Sequence, residues 1–117
     1  MVPTPLVAAS TKPLILALLA RKEKSYGYEI IQLVKQLSGG HLEWSDGMLY
    51  PVLHRLEGEG LIESWWGRAE NGRRRKYYRL RSEGARVLEQ EKAQWMKVHQ
   101  TLTKVWSPEW NPDAPTT

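Results

Sequence analysis

The chain contains no cysteine, which excludes a disulfide framework, a thiolate metal site and a cysteine nucleophile. A chain without cysteine suits a reducing compartment. Its longest apolar run, residues 14–20, has seven residues, whereas a membrane span needs about 20. Residues 1–11 carry no basic residue, and no small-residue cleavage site follows, so we expect no secretory signal. The sequence therefore predicts a soluble, cytoplasmic protein that does not bind a membrane.

The sequence also lacks the patterns on which catalysis or a bound metal would depend. Its three histidines, His41, His54 and His99, fall on three different predicted elements and form no ligand pair. The glycines at 58 and 60 precede a predicted strand, whereas a phosphate-binding loop runs from a strand into a helix. We therefore expect no catalytic residues, no metal site and no cofactor, and we predict that the protein is not an enzyme.

Positive charge is abundant but concentrated in one segment. The chain has 117 residues, a length typical of a single domain, and a formal net charge of +4. Residues 68–86 carry eight basic and two acidic side chains, a net charge of +6, so the remainder sums to −2. Such a segment beside a slightly acidic body is typical of a surface that binds a polyanion. The alternative is a solvated basic segment without a partner.

The N-terminal half predicts an arm followed by three helices. Residues 1–12 hold two prolines and no helical period, so we expect an N-terminal arm. Thr11 is expected to cap a first helix that is apolar all round, and Ser25 a second helix that ends at two glycines. Ser45 or Asp46 is expected to cap a third helix with apolar periodicity at Leu49, Val52, Leu53 and Leu56. Pro51 predicts that this helix has a short or bent start.

Two strands and a tight turn follow the third helix. Residues 61–68 and 74–80 are rich in apolar and aromatic side chains, as strands are. Asn71 and Gly72 between them are the strongest short signal for a hairpin, because both accept a positive φ. The sequence therefore predicts a basic β-hairpin near whose tip lie Arg73, Arg74 and Arg75, and in which Arg79 is expected to pair with Glu63.

The last predicted helix spans residues 82–106, with Ser82 as its cap, and would be about 37 Å long. Apolar residues recur along it in a heptad-like seam, namely Leu88, Trp95, Val98, Leu102 and Val105. A domain of this size cannot cover such a helix, so we expect it to pair with a second copy by two-fold symmetry. The alternative is that it packs back on its own domain. Residues 107–117, with three prolines, are expected to form a flexible tail.

Three helices and a hairpin, in that order, are typical of a winged helix-turn-helix, in which the third helix enters the DNA major groove. We therefore predict a mainly α member of the α+β class, with a winged-helix domain over residues 13–81 and a dimerisation helix over 82–106. The residues resemble those of PadR-family transcriptional regulators of the compact branch, which have a single C-terminal helix. The matching segments are GYEI at 27–30, LYPVLHRLE at 49–57, GLI at 60–62, GRRRKYYRL at 72–80 and Gly84 beyond.

The resemblance implies a homodimeric repressor that binds an inverted-repeat operator in double-stranded DNA. By matching position, Tyr50 would contact a phosphate, and Gly47 and Met48 would start the groove-facing helix. The same match assigns Arg73, Arg74, Arg75 and Lys76 to the wing. Arg55 is the only full cation on the third helix, so bases would be read mainly by uncharged groups. The alternatives are that Tyr50 fills a half-buried crevice and that Gly47 relieves a tight approach between helices.

The resemblance also places an effector site at Trp95, where an aromatic residue would pair with its two-fold mate and bind planar aromatic molecules. His99 lies one turn further on, where some relatives carry an acidic residue, and would favour neutral or anionic ligands or titrate as a switch. The alternative is that Trp95 only anchors the dimer. A second function also stays open, a winged-helix module that binds protein and not DNA.

Overall fold

The computed structural model describes residues 2–115 and confirms the predicted fold class. Three strands, β1 (Ser25–Tyr26), β2 (Ile62–Arg68) and β3 (Arg74–Leu80), form an antiparallel sheet in the order β1-β3-β2, and four helices make up most of the remaining described residues. None of the helices in residues 2–115 is both long and apolar enough to cross a membrane. The elements are α1 (Thr4–Arg21), β1 (Ser25–Tyr26), α2 (Gly27–Leu37), α3 (Asp46–Gly58), β2 (Ile62–Arg68), β3 (Arg74–Leu80) and α4 (Ser82–Trp106).

Helix α1 is longer than predicted and lies at the centre of the packing. It begins at Thr4, so the expected arm over residues 1–12 is wrong from that residue onward, and residue 1 lies outside the described residues. Prolines at positions 3 and 5 fit a helix start, where the missing N–H groups would have no intrahelical acceptor. Thr11 does not cap the helix but is buried within it, where its Oγ1 donates to the Val7 carbonyl at 2.7 Å. Helix α1 contacts each of the other helices and β3, and its buried apolar side chains, Ile15, Leu16 and Leu19, lie in its second half.

Helix α2 begins one residue later than expected, at Gly27. Ser25 is wrong as its cap, because this residue is buried in β1 and pairs with Tyr78 of β3. The Ser25 hydroxyl still serves the first turn of α2, since its Oγ donates to Glu29 Oε1 at 2.6 Å. The end of α2 is as predicted, with Gly39 and Gly40 at φ +62° and +85°.

Helix α3 begins where the sequence predicted. The Ser45 hydroxyl caps it by accepting the Met48 N–H at 3.2 Å. Helix α3 then continues through Pro51 to Gly58, so the expected short start is wrong. Since Pro51 has no N–H, the carbonyl of Gly47 one turn earlier has no intrahelical donor. The inward side chains are those predicted from the apolar period, with Leu49, Leu53 and Leu56 fully buried.

The hairpin has the predicted strands but a different turn. Strands β2 and β3 pair from Ile62 opposite Leu80 to Arg68 opposite Arg74. Between them the Gly72 N–H donates to the Ala69 carbonyl at 2.9 Å, and Gly72 alone in the loop has a positive φ, +83°. The expected positive φ at Asn71 is therefore wrong, and the loop is a three-residue turn that ends on a left-handed glycine. The predicted ion pair between Arg79 and Glu63 is confirmed.

Helix α4 leaves the domain after its first two turns. It begins at Ser82, which is therefore not its cap. Leu88 is buried in the core of its own chain, so its assignment to a dimer seam is wrong, whereas residues 92–106 are all exposed. The alternative in which α4 packs back on its own domain is wrong for this second part. The molecule consequently measures 64 Å in its longest direction and 31 Å in the next.

Residues 107–115, which follow α4, form turns. The last two residues of the predicted tail, 116 and 117, lie outside the described residues. The flexibility expected of this tail stays a prediction.

Replacing Gly84 by alanine is expected to destabilise the fold. A methyl group on Gly84 would lie 2.1 Å from the Leu61 carbonyl oxygen, which is backbone and cannot move aside cheaply. We expect Gly84→Ala to lower the free energy of unfolding by about 1–3 kcal/mol in urea titrations. The matched control is Gly58→Ala, at the exposed end of α3, where no atom lies within 4 Å of the added methyl group and stability should hold or rise. Equal midpoints for Gly84→Ala and the parent chain would contradict this account.

Candidate nucleic-acid interface

The exposed face of α3 carries small and polar side chains. Gly47, Pro51, His54 and Gly58 follow one another along its centre at helical spacing, and all are exposed. The nearest side-chain or remote atom to a methyl group on Gly47 would be Ser45 Oγ at 4.0 Å. The alternative that Gly47 relieves a tight approach between helices is therefore wrong, and this end of α3 is open to a ligand that comes close to its backbone.

Tyr50 lies at the edge of this face, next to the start of α2. A methyl group on Gly27 would meet the Tyr50 phenol oxygen at 2.4 Å and its Cζ at 2.8 Å. Because Gly27, the glycine of the GYEI segment, has no side chain, the phenol of Tyr50 can lie against the α2 backbone. The Tyr50 side chain nevertheless stays 44% exposed, so it fills a crevice only in part and still presents its ring to solvent.

A groove of about 550 Å³ separates α3 and the start of α2 from the wing, the hairpin of β2 and β3. Tyr50 lines one wall, and three of the predicted wing cations, Arg74, Arg75 and Lys76, line the other. The remaining lining residues are mostly aromatic, namely Tyr26, Gly27, Tyr28, Trp66 and Tyr78. Two parts of the predicted DNA-binding surface, which are 24 or more residues apart in sequence, thus border one space.

The remaining predicted DNA-binding residues lie outside this groove. Arg73 is at the exposed tip of the hairpin, and Arg55 lies at the other edge of the exposed face of α3, about 140° round the helix from Tyr50. Met48 borders a separate cavity beside the start of α1. The cationic wall and the open start of α3 are therefore neighbours, while Arg55 flanks the exposed face of α3 at the edge away from the groove.

Three exposed residues of this surface were missed by sequence reasoning. His54 continues the outer face of α3 one turn beyond Tyr50, and the period that identified the core could have found it. Tyr28 stands at the start of α2 and is 65% exposed. Trp66, opposite Lys76 in the hairpin, could have been placed from the strand register.

Hydrogen bonds and ion pairs hold the walls of the groove. The Ser64 hydroxyl of β2 donates to the Glu57 carboxylate of α3 at 2.6 Å. Burial, with smaller effects from Tyr50 and Glu57, raises the pKa of Tyr78 to about 12, so this phenol stays neutral. Burial opposes ionisation of Glu29, but hydrogen bonds from Ser25 and Lys22 hold its pKa below the usual value.

In residues 2–115, no three side chains of His, Asp or Glu are grouped to hold a metal ion.

The candidate effector and dimer residues lie on the projecting part of α4. Trp95, Val98, Leu102 and Val105 are exposed in the single chain and follow one another along one side of the helix. His99 is exposed one turn from Trp95. At the domain end of this side, Glu91 is paired with Lys12 of α1, with 3.5 Å between Oε1 and Nζ. The structure therefore leaves an apolar stripe on α4 that the described part of the chain does not cover.

Comparison with known proteins agrees with this architecture. Residues 15–90 match the family model described as the transcriptional regulator PadR-like family. An uncharacterised protein of Lysinibacillus sphaericus is 31% identical over 102 residues, which are 87% of this chain and 93% of that protein. A solved transcriptional regulator from Clostridium thermocellum superimposes with a TM-score of 0.80 at 28% identity, over 92% of this chain and 100% of that one.

A PadR family regulator from Clostridium difficile superimposes with a TM-score of 0.70 at 32% identity, over 84% of this chain and 99% of the other. The family model spans α1 to the first turns of α4, the region that builds the groove and the wing. The chain therefore belongs to the PadR-like family of transcriptional regulators, as the resemblance of its sequence predicted.

Proposed function

We propose that this protein is a homodimeric repressor of the compact PadR type, which binds an inverted-repeat operator through α3 and the wing. The observation that carries the proposal is the shared groove, in which Tyr50 faces Arg74, Arg75 and Lys76. DNA-binding winged helices need one element in the major groove and a second on the backbone or in the adjoining minor groove. The two walls of the groove supply these elements.

Each wall has its own role in this proposal. The exposed start of α3 enters the major groove, where Gly47 allows the backbone to come close to base edges and Met48 contacts them. The wing cations neutralise phosphates, and the Tyr50 hydroxyl contacts a further one. Arg73 reaches along the backbone from the hairpin tip. Arg55, at the other edge of the exposed face of α3, contributes charge at the margin.

The dimer forms along the exposed stripe of α4. Trp95, Val98, Leu102 and Val105 supply apolar side chains to a two-fold contact in which each copy covers the other. Because α4 projects from the domain, its pairing sets the distance between the two α3 helices. A distance of about 34 Å would place both in successive major grooves on one side of the duplex.

An effector site follows from the same contact. Two copies of Trp95 meet near the two-fold axis and accept a planar aromatic molecule between them, with His99 of each copy at the margin of the site. Occupation of this site changes the relation between the two domains and releases the operator. Trp95 is 38% exposed in the single chain, which leaves its ring available to a second copy or to a ligand.

Removing one wing cation is expected to weaken DNA binding in a salt-dependent way. With a duplex taken from upstream of the protein's own gene, Arg74→Ala should reduce the slope of log affinity against log salt by about 0.9 for a lost phosphate contact. Fluorescence anisotropy across a salt series gives this slope. The control is Arg86→Ala, since Arg86 is exposed on α4 and paired with Glu83. A slope unchanged by Arg74→Ala would remove this residue from the interface, and no gel shift by the parent protein at low salt would favour a protein-binding module.

A charge placed in the α4 stripe is expected to separate the two copies. Leu102→Glu would bury two carboxylates in the dimer contact, and we expect the free energy of association to weaken by about 3 kcal/mol or more. Sedimentation velocity measures the change. Met96→Glu is the control, because Met96 is also exposed but lies about 100° round the helix from Trp95. A parent protein that sediments at 13.5 kDa, or two variants that sediment alike, would contradict the proposed dimer.

Planar aromatic compounds are expected to quench tryptophan fluorescence through Trp95. The parent protein and Trp106→Ala, whose side chain lies at the end of α4, should show saturable quenching with a common ligand series. Trp95→Ala should lose the saturable part. If all three proteins are quenched equally, Trp95 is only an anchor of the dimer.

A further inference from the structure

Arginines of the wing lie on aromatic rings that come from two different parts of the fold. The Arg75 guanidinium carbon is 3.8 Å from the ring centre of Tyr26, and that of Arg74 is 4.6 Å from the ring centre of Trp66. Trp66 belongs to the hairpin itself. Tyr26 belongs to β1, which joins the sheet from the segment between α1 and α2. The side chain of Arg75 is thus tied to the body of the domain.

The ring of Tyr26 is itself held in place. Tyr77, its neighbour in the register of β1 and β3, meets it edge to face with ring centres 5.9 Å apart. Tyr77 in turn stacks on Trp65 at 5.9 Å. Gly67 leaves the room for this arrangement, because a methyl group there would lie 2.9 Å from Tyr77 Cε2. The support under Arg75 is therefore a packed aromatic cluster and not a single mobile ring.

A guanidinium at this distance from a ring keeps its binding capacity for phosphate. A separation of 3.8 Å is van der Waals contact, which two planar groups reach when they lie face to face. The N–H donors of arginine point outward in the plane of the group, so a ring below that plane does not compete for them. The side chain has lost rotational freedom before DNA arrives, while its donors stay free for a phosphate.

Arg73 provides a contrast within the same hairpin. It is exposed at the tip, and within residues 2–115 the aromatic contacts of cationic groups include Arg74, Arg75, Lys76 and Arg79 but not Arg73. Arg74 and Arg75 are therefore restrained by aromatic rings, whereas the neighbouring Arg73, with the same charge, lacks this restraint within the described residues.

We propose that Tyr26 and Trp66 are positioning residues for DNA binding, which hold Arg75 and Arg74 on their rings in the orientation that phosphates bind. The inference rests on the proposed contact between wing and DNA, and it adds that affinity depends on rings that do not themselves neutralise a phosphate. It also distinguishes Arg75 from Arg73, since a lysine keeps the charge at either position but cannot replace a stacked guanidinium.

The test distinguishes the effect of the number of wing cations from the effect of how firmly the arginine side chains are held. Binding of a random-sequence duplex is measured by fluorescence anisotropy over a salt series, since phosphate contacts do not depend on base sequence. Tyr26→Leu should weaken binding about threefold to tenfold, the size expected of a cation–π contact, and leave the salt slope unchanged because every cation remains. Tyr26→Phe keeps the ring and should bind the duplex with the same affinity as the parent protein. Arg75→Lys should weaken binding by a similar factor and Arg73→Lys by a smaller one, whereas Arg86→Lys, on α4 and outside the wing, should leave affinity unchanged.

A double-mutant cycle on DNA affinity distinguishes positioning of Arg75 from a general effect on folding. In an Arg75→Ala background, Tyr26→Leu should cause no further loss, because the side chain that it positions is absent. Val87→Ala removes side-chain atoms packed on the core, on α4 and outside the aromatic cluster, so it should lower the melting temperature and leave affinity unchanged. The Trp66 and Arg74 pair repeats the cycle at a ring that is 57% exposed and is not part of the buried core.

Three results would overturn the inference. Unchanged affinity in Tyr26→Leu and Trp66→Leu would show that the rings do not matter. Losses that add fully to those of the arginine variants would show that the rings act on their own. If Arg74→Ala and Arg75→Ala changed neither affinity nor salt slope, the proposed wing contact would fail and the inference with it, a result distinct from the first two.

Discussion

The contact between the base of the hairpin and α3 decides what this molecule can bind. Ile62 and Tyr78 are buried on the inner side of the sheet, and Ser64 is hydrogen-bonded to Glu57 near the end of α3. These interactions hold β2 and β3 at a set position relative to the helix. The distal half of the hairpin, with its cations, consequently stands across a groove from Tyr50. The relation between the two walls of the groove, which we propose to bind DNA, is therefore a consequence of core packing.

Core packing also explains why residues 92–106 of α4 are left exposed for the proposed dimer. Helix α1 fills the space among the other helices and β3, and α4 needs only its first two turns, with Gly84 and Leu88, to complete that core. The remaining turns carry apolar side chains that none of residues 2–115 covers. The winged domain thus completes its core within one chain, whereas the stripe on α4 stays exposed there, as the proposed dimer requires.

The features that could be predicted from sequence were those set by local chemistry. The cap at Ser45, the glycines after α2 and the strands of the hairpin depend on residues close in sequence, and each was found. The errors came from distant partners. Ser25 looked like a cap, but its pairing with Tyr78 draws it into a strand. Leu88 fitted the α4 seam, yet the core covers it. The rings beneath Arg74 and Arg75 could not be assigned before the register of the sheet was known.

The central claim is that α3 and the wing form one DNA-binding surface. Backbone amide resonances followed by NMR during titration with duplex DNA test it most directly, because they report on both walls in one experiment. The account predicts that amides of residues 47–54 and 73–76 shift along the same saturation curve, while those of the tail at 107–115 stay in place. Shifts confined to the wing, with α3 unaffected at saturation, would contradict it.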